Sequence, residues 1–169
     1  MRRGICSRCN SLIELDEKES NFECPNCHER IFTDSAIKNY YRAVRTYDKK
    51  AEIALLGSTD YPLAFKNYSL LHELVEKDLG VLFNMAIAKL YCSNLHEIHL
   101  KEATDLILKG SDKVEIGQDN VKNLSDALIR VRKDAKKLVD AFKLVANESN
   151  YALNLYHQAF LQTDCGNVS

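Results

Sequence analysis

The chain of 169 residues contains no tryptophan, only two prolines and only six glycines. So few turn-forming residues argue against a β-sandwich and favour long helices. Lysine and arginine number 23 against 24 acidic residues, so the chain has no overall field that would attract nucleic acid or an anionic membrane. Hydrophobic residues make up 46% of the sequence, which is typical of a folded protein and not of a disordered one.

Long apolar runs are also missing from the sequence. No stretch approaches the roughly 20 apolar residues of a membrane-spanning helix. The N-terminal Met1-Arg2-Arg3 is basic, but the apolar segment of a secretory signal peptide does not follow it. We therefore expect a cytoplasmic protein with reduced thiols and no membrane partner.

Four of the six cysteines form two pairs, Cys6-Ser7-Arg8-Cys9 and Cys24-Pro25-Asn26-Cys27, with fourteen residues between the pairs. A Cys-x-x-Cys turn directs both thiolates at one point, so two such turns supply the four tetrahedral ligands of a closed structural zinc site. Cys6, Cys9, Cys24 and Cys27 are therefore the predicted ligands of one structural Zn²⁺. Iron is the alternative ion, and His28 is an alternative ligand.

Three short extended segments are predicted around these pairs, at residues 12–15, 21–23 and 30–33. Residues 4–33 resemble a zinc ribbon, in which two Cys-x-x-Cys turns lie at the ends of a small three-stranded sheet. Many ribbons have glycine directly after each pair. This chain has Asn10 and His28 there, and both residue types tolerate the left-handed backbone. The resemblance implies a module that is folded mainly by its metal, but it does not select one function.

From Thr33 onward, apolar residues recur at steps of three and four, which predicts helices. We expect these over residues 37–55, 61–78, 81–94, 97–109, 124–145 and 151–159. The predicted fold class is a small zinc-bound β module (zinc ribbon) plus an all-α helical-repeat or bundle domain of five to six helices. The predicted domains are residues 1–33 for the ribbon, 34–162 for the helices and 163–169 for a flexible tail.

One helical segment resembles a tetratricopeptide repeat. Asp60-Tyr61-Pro62-Leu63-Ala64, followed by Tyr68, is similar to the start of that family's second helix, where a small residue lets two helices approach closely. The likeness covers roughly residues 45–112. A groove lined by Tyr40, Tyr47, Tyr68 or Tyr91 would suit a peptide or helix from a partner.

The apolar stripe of residues 124–145 either covers the helical core or pairs with a second copy, and Ala135 favours the first interpretation.

No group of residues in the sequence indicates catalysis. His96-Glu97-Ile98-His99 fails as a metalloprotease motif, because its histidines are three residues apart and that chemistry needs four. Cys92 is expected in the core of a helix. We therefore predict a protein that is not an enzyme.

The remaining feature is a basic helix. Residues 122–143 contain seven lysines and arginines against three aspartates, and Arg130, Lys133 and Lys137 fall on one helical face. That face is either a solvated exterior or a surface that follows a phosphate backbone.

The favoured function is a non-catalytic intracellular zinc-binding adaptor whose helical domain binds a protein partner. The alternative is a nucleic-acid-associated regulator that uses the ribbon and the basic helix 122–143. The sequence leaves the oligomeric state open.

Overall fold

The computed structural model describes residues 2–16, 18–94, 96–111 and 118–145. The chain divides into two compact units, Met1–Lys50 and Ala51–Ser169. The first unit extends beyond the predicted module of residues 1–33, because it includes most of the first helix. The predicted sixth helix at residues 151–159 and the predicted tail at 163–169 lie outside the described residues.

Two β-hairpins form the strands of the first unit. Strand β1 (Arg2–Ile5) pairs antiparallel with β2 (Leu12–Leu15), and β3 (Asn21–Glu23) pairs antiparallel with β4 (Arg30–Phe32). The expected three-stranded sheet is wrong, since there are two separate two-stranded sheets. The physical reason is that each Cys-x-x-Cys turn closes its own hairpin, so each turn joins only the two strands that flank it.

The core of the first unit is small and includes the start of a helix. Its large buried aliphatic side chains are Ile13, Leu15 and Ile31, and Ala36 of the following helix is buried with them. A Cβ atom on Gly4 would lie 2.4 Å from Leu15 Cδ1 and 3.0 Å from Ala36 Cβ. The glycine in β1 therefore lets the first helical turn approach the hairpin closely.

Helix α1 (Thr33–Glu52) begins directly after β4 and has 20 residues. The Thr33 N–H donates to the carbonyl of Ser20 at 3.1 Å, and its hydroxyl donates to the carbonyl of Glu19. These bonds fasten the helix start to the turn that precedes β3. One π-helical turn, Ile53–Gly57, follows the helix.

The described part of the second unit contains four α-helices: α2 (Tyr61–Leu74), α3 (Leu79–Tyr91), α4 (Leu100–Ser111) and α5 (Gln118–Val145). The Asp60 carboxylate caps α2 by accepting from the Leu63 N–H at 3.1 Å. Helix α2 ends four residues earlier than predicted. Asp78 is not its last residue, because the Asp78 carboxylate caps α3 and accepts from Gly80 N–H at 2.9 Å.

Helix α2 contributes buried residues such as Leu71 to the second unit, and one buried cluster lies between α3, α4 and α5. This cluster consists of Ala86, Ile87, Leu90, Leu100, Ala103, Ile107, Val131 and Ala135. Val131 and Ala135 belong to the apolar stripe of α5, so within the described residues this stripe covers a core, as the first of its two interpretations predicts. The small alanines on all three helices allow the close approach that this packing needs.

A small β module plus a helical domain of five described helices is therefore the observed architecture. Ala64 and Tyr68, which carry the resemblance to a tetratricopeptide repeat, are both buried on α2. Relation to that family stays a prediction. Among the described helices, none has an apolar stretch of the length that a bilayer crossing requires.

Candidate functional site

The two Cys-x-x-Cys turns share one backbone conformation. In each turn the N–H of the first cysteine donates to the carbonyl of the residue five positions later in the chain. The N–H of the residue four positions later donates to the carbonyl of that same cysteine. The four distances are 3.0 Å for Cys6 N to Ser11 O, 3.0 Å for Asn10 N to Cys6 O, 2.9 Å for Cys24 N to Glu29 O, and 2.8 Å for His28 N to Cys24 O. Asn10 and His28 have φ values of 59° and 58°. They adopt the left-handed backbone expected where many ribbons carry glycine.

The turns bring all four predicted ligands together. Their Sγ atoms lie within 4.8 Å of one another. The distance is 3.6 Å from Cys6 to Cys27 and 3.7 Å from Cys9 to Cys24. In a tetrahedral site with metal–sulfur bonds of about 2.3 Å, neighbouring sulfurs are about 3.8 Å apart. The four thiols are free of disulfides, and their spacing therefore fits a candidate site for one tetrahedral ion.

Hydrogen-bond donors surround the sulfurs. The backbone N–H groups of Arg8 and Cys9 each donate to Cys6 Sγ at 3.4 Å. Ser11 Oγ lies 2.7 Å from Cys9 Sγ and 3.8 Å from Cys24 Sγ. Sequence reasoning missed Ser11, and the available signal was its position two residues after Cys9. Such donors stabilise negative charge on the ligands and fix their orientation.

The pKa shifts of the thiols differ among the cysteines of the cluster. The Ser11 hydroxyl and backbone N–H lower the pKa of Cys9 to about 5. Burial alone raises the pKa of Cys24, but the N–H groups of Asn26 and Cys27 outweigh it, so the pKa is lowered. The Glu29 N–H favours the Cys27 thiolate, yet burial and the three neighbouring thiols raise the pKa of Cys27 to about 12. A divalent ion at the centre would hold all four sulfurs as thiolates.

Two other polar groups of this module have different partners. His28 Nδ1 lies 3.1 Å from Glu23 Oε1, and the histidine side chain is 76% exposed, so the alternative ligand is directed at a carboxylate. Arg30 Nε donates to Asn21 Oδ1 at 3.0 Å across the second hairpin. The candidate ligands are thus the four cysteines, and neither His28 nor Arg30 is among them. With four protein ligands the centre has no open position for a substrate, which is the arrangement of a structural site.

A second group of potential ligands occurs at the start of α4. Glu97, His99 and Glu102 lie within reach of one ion, with His99 Nδ1 3.1 Å from Glu102 Oε1 and 3.6 Å from Glu97 Oε1. The His99 backbone N–H also donates to Ser93 Oγ at 2.9 Å. Burial opposes ionisation of Glu102, but its own N–H and His99 lower its pKa. These contacts fasten the beginning of α4.

The three residues of the predicted nucleic-acid face all lie on α5. The Arg130 guanidinium carbon is 5.3 Å from the centre of the Phe83 ring. Lys137 Nζ is 3.0 Å from Asp134 Oδ1, whose side chain is only 11% exposed. Lys133 is exposed. A phosphate would therefore compete with intramolecular partners at two of the three residues, and nucleic-acid binding by this face stays a prediction.

A groove of about 330 Å³ opens between α3, α4 and α5. Its apolar lining consists of Leu79, Leu82, Phe83, Ile107, Leu124 and Ala127, and its polar side chains are Asn123, Asp126 and Arg130, all on α5. This groove is not the predicted one, because none of its lining residues is a tyrosine. Tyr68 is buried, and Tyr91 stacks on Tyr61 with ring centres 4.9 Å apart. The tyrosine-lined groove stays a prediction. The sequence could not locate it, since a gap between helices depends on how side chains from three segments fit together.

In comparisons with known proteins, no family model, curated protein or solved structure matches the chain. The class defined by the fold and the site is a helical protein with a small β module that carries a candidate four-cysteine metal centre.

Proposed function

We propose that the chain is a non-catalytic zinc-binding adaptor of the cytoplasm. In this proposal zinc holds the N-terminal module folded, and the helical unit binds a protein partner. The observation that carries the proposal is the groove between α3, α4 and α5, because it combines an apolar lining with polar side chains confined to one helix.

Zinc is the proposed ion because four thiolates from two short turns favour it in a closed structural site, whereas iron would serve electron transfer. Protein purified without added metal is expected to contain one zinc per chain. Cys24→Ser should lose most of it, whereas Cys92→Ser, which removes a thiol outside the centre, should keep it. Equimolar iron, or no tightly bound metal at all, would contradict this assignment.

The groove supports a protein partner by its size and its chemistry. A volume of about 330 Å³ is near the lower end of small-molecule pockets, so it has room for one or two side chains and not for a large cofactor. Its Phe83, Leu124 and Ala127 walls are half-buried. A partner that covers them would remove apolar surface from water, which is the main driving force of association.

A substitution that fills the groove tests this role. Ala127→Phe places a ring in the lining, whereas Ser125→Phe places the same ring at an exposed position of α5 outside it. In affinity capture from nuclease-treated extract, the wild-type chain and Ser125→Phe should retain one stable protein partner that Ala127→Phe loses. Complete loss of capture after nuclease treatment would count against the adaptor role.

The alternative, a nucleic-acid-associated regulator, is favoured by the arrangement of cations and an aromatic ring on the helical unit. Arg130 lies beside Phe83, and Lys133 and Lys137 share its side of α5. In a mobility-shift assay the combined variant Arg130→Glu, Lys133→Glu, Lys137→Glu would abolish salt-sensitive binding, whereas the control Lys136→Glu would not. Neutralising one phosphate-binding side chain at a time should reduce the steepness of log affinity against log salt by about 0.7 to 0.9 for each. This outcome would replace the adaptor interpretation.

A further inference from the structure

We propose that the groove between α3, α4 and α5 binds an amphipathic partner helix that carries an acidic and a basic residue one turn apart beside its buried apolar residue. The inference rests on the proposed adaptor function and specifies the chemistry of the partner. It is drawn from three features of the groove: its floor, its polar rim and the spacing of the charges on that rim.

The floor of the groove is apolar and closed. Leu82 and Ile107, from α3 and α4, are only 3% and 4% exposed. Phe83, Leu124 and Ala127 form half-buried walls above them. A leucine-sized side chain that enters would replace water on all three walls at once, and it would anchor the rest of the partner as apolar anchors do in helix-binding grooves.

The rim of the groove is polar on one side only. Asp126 and Arg130 are both exposed, and both lie on α5 among the lining residues. The Arg130 guanidinium is held over the Phe83 ring at 5.3 Å, so the cation stands at the edge of the apolar wall. A carboxylate that approaches this edge would meet an arginine whose position is already restricted, which lowers the entropy lost on binding.

The two rim charges have the spacing of a helical turn. They are four residues apart on α5, which corresponds to about 6 Å along its axis, and one turn of a partner helix rises about 5.4 Å. A helix that lies along α5 can therefore place an acidic residue at Arg130 and a basic residue at Asp126, with an apolar residue between them over the groove. Charge complementarity of this kind sets the orientation of a partner more than its affinity.

Two synthetic peptides test the proposal on the zinc-loaded full-length chain. Both are labelled amphipathic helices with the same leucine stripe, and they differ only in the order of the glutamate and lysine that flank the central leucine. Fluorescence anisotropy should show an affinity about tenfold higher for one order than for the other. The exchange variant Asp126→Arg with Arg130→Asp keeps the composition of the rim, and it should reverse that preference.

Groove-filling variants supply the second arm of the test. Ala127→Phe should abolish binding of both peptides, and Ser125→Phe should retain it, with circular dichroism showing that each variant is folded. Equal affinity for the two peptides, no binding at millimolar concentration, or an unchanged preference in the exchange variant would overturn the inference. If Ala127→Phe still captures the partner of the wild-type chain, the adaptor role survives and the groove is not its docking site.

Discussion

Loss of a single thiolate ligand, in Cys24→Ser, is expected to unfold the whole first unit, α1 included, and to leave α2–α5 folded. The reason is that the cysteine cluster and the first turn of α1 share one core. Cys6, Cys24 and Ala36 are each fully buried in the same cluster. When the ligand set is incomplete, the helix start loses the surface on which it packs.

The size of that core determines how much apolar burial contributes to the folding free energy of the first unit. Among the described residues of the first unit, Ile13, Leu15 and Ile31 are its large buried aliphatic side chains, and each contributes roughly 1.5–3 kcal/mol when buried. Binding of structural zinc to such a module releases about 10–16 kcal/mol at neutral pH. In the proposed zinc-bound form the metal would therefore be the larger of the two terms, and the apolar core alone is not expected to keep the unit folded.

Far-UV circular dichroism and hydrogen exchange measure this outcome. Helix α1 has 20 residues, whereas α2 to α5 have 14, 13, 12 and 28, so its complete loss removes roughly a quarter of the signal that comes from the described helices. Amides of residues 2–50 should exchange rapidly in Cys24→Ser while those of α2–α4 stay protected. The matched control is Cys92→Ser. Cys92 is not in the core of a helix as expected, but half-buried at the C-terminal cap of α3, so this variant should leave both regions folded.

Two results would refute the reasoning about Cys24→Ser. If residues 2–50 remained protected in zinc-free protein, the metal would not be the main stabilising term. If protection were lost in α2–α4 as well, the two compact units would unfold as one, and the division at Lys50–Ala51 would have no thermodynamic meaning.

Three further predictions concern single side chains. Gly4→Ala forces a Cβ against Leu15 and should destabilise the first unit by about 1–3 kcal/mol, measured as faster zinc loss to a chelator; unchanged loss would contradict the close approach. Asp78→Ala removes the cap of α3 and should cost the second unit about 1 kcal/mol, seen as a Tm lower by several degrees. Because the folded-state pKa of Glu102 is lowered by its own N–H and by His99, which together outweigh burial, its stabilising effect is present above its ordinary pKa of 4.5 and lost as the pH falls through the folded value. The stability difference between wild type and Glu102→Gln in urea unfolding should therefore shrink on acidification, and a constant difference would exclude this linkage.

The cysteine centre was predictable because its information is local. Two residues between cysteines fix the geometry of each turn, and the left-handed residues Asn10 and His28 follow from that geometry. The pairing of the strands is harder to predict from the sequence. Strand β1 is only four residues long and includes Arg2, Arg3 and Gly4, so its sequence carries no alternating apolar pattern, and its partner is fixed only once the first turn closes.

In the helical unit, too, features that depend on one stretch of sequence are predictable, and features that depend on several stretches are not. The apolar periodicity of α5 predicts its inward face, and Val131 and Ala135 do lie in the core. The end of α2 was misplaced because Asp78 suits either a helix end or a cap, and only the fold of the next segment decides between them. The groove depends on three helices at once, so no single stretch of sequence predicts it.

Helix α1 starts at Thr33, immediately after β4 ends at Phe32, and this direct junction determines how the module could be transplanted. A graft of residues 1–33 into another protein would leave Ala36 behind and open a gap beside Gly4. A piece that keeps this core is the compact first unit, residues 1–50, which contains the candidate metal centre, both hairpins and the helical turn that completes their core. Its C-terminal end lies within α1, so a recipient helix fused there in phase would carry the candidate metal centre at its N-terminal end.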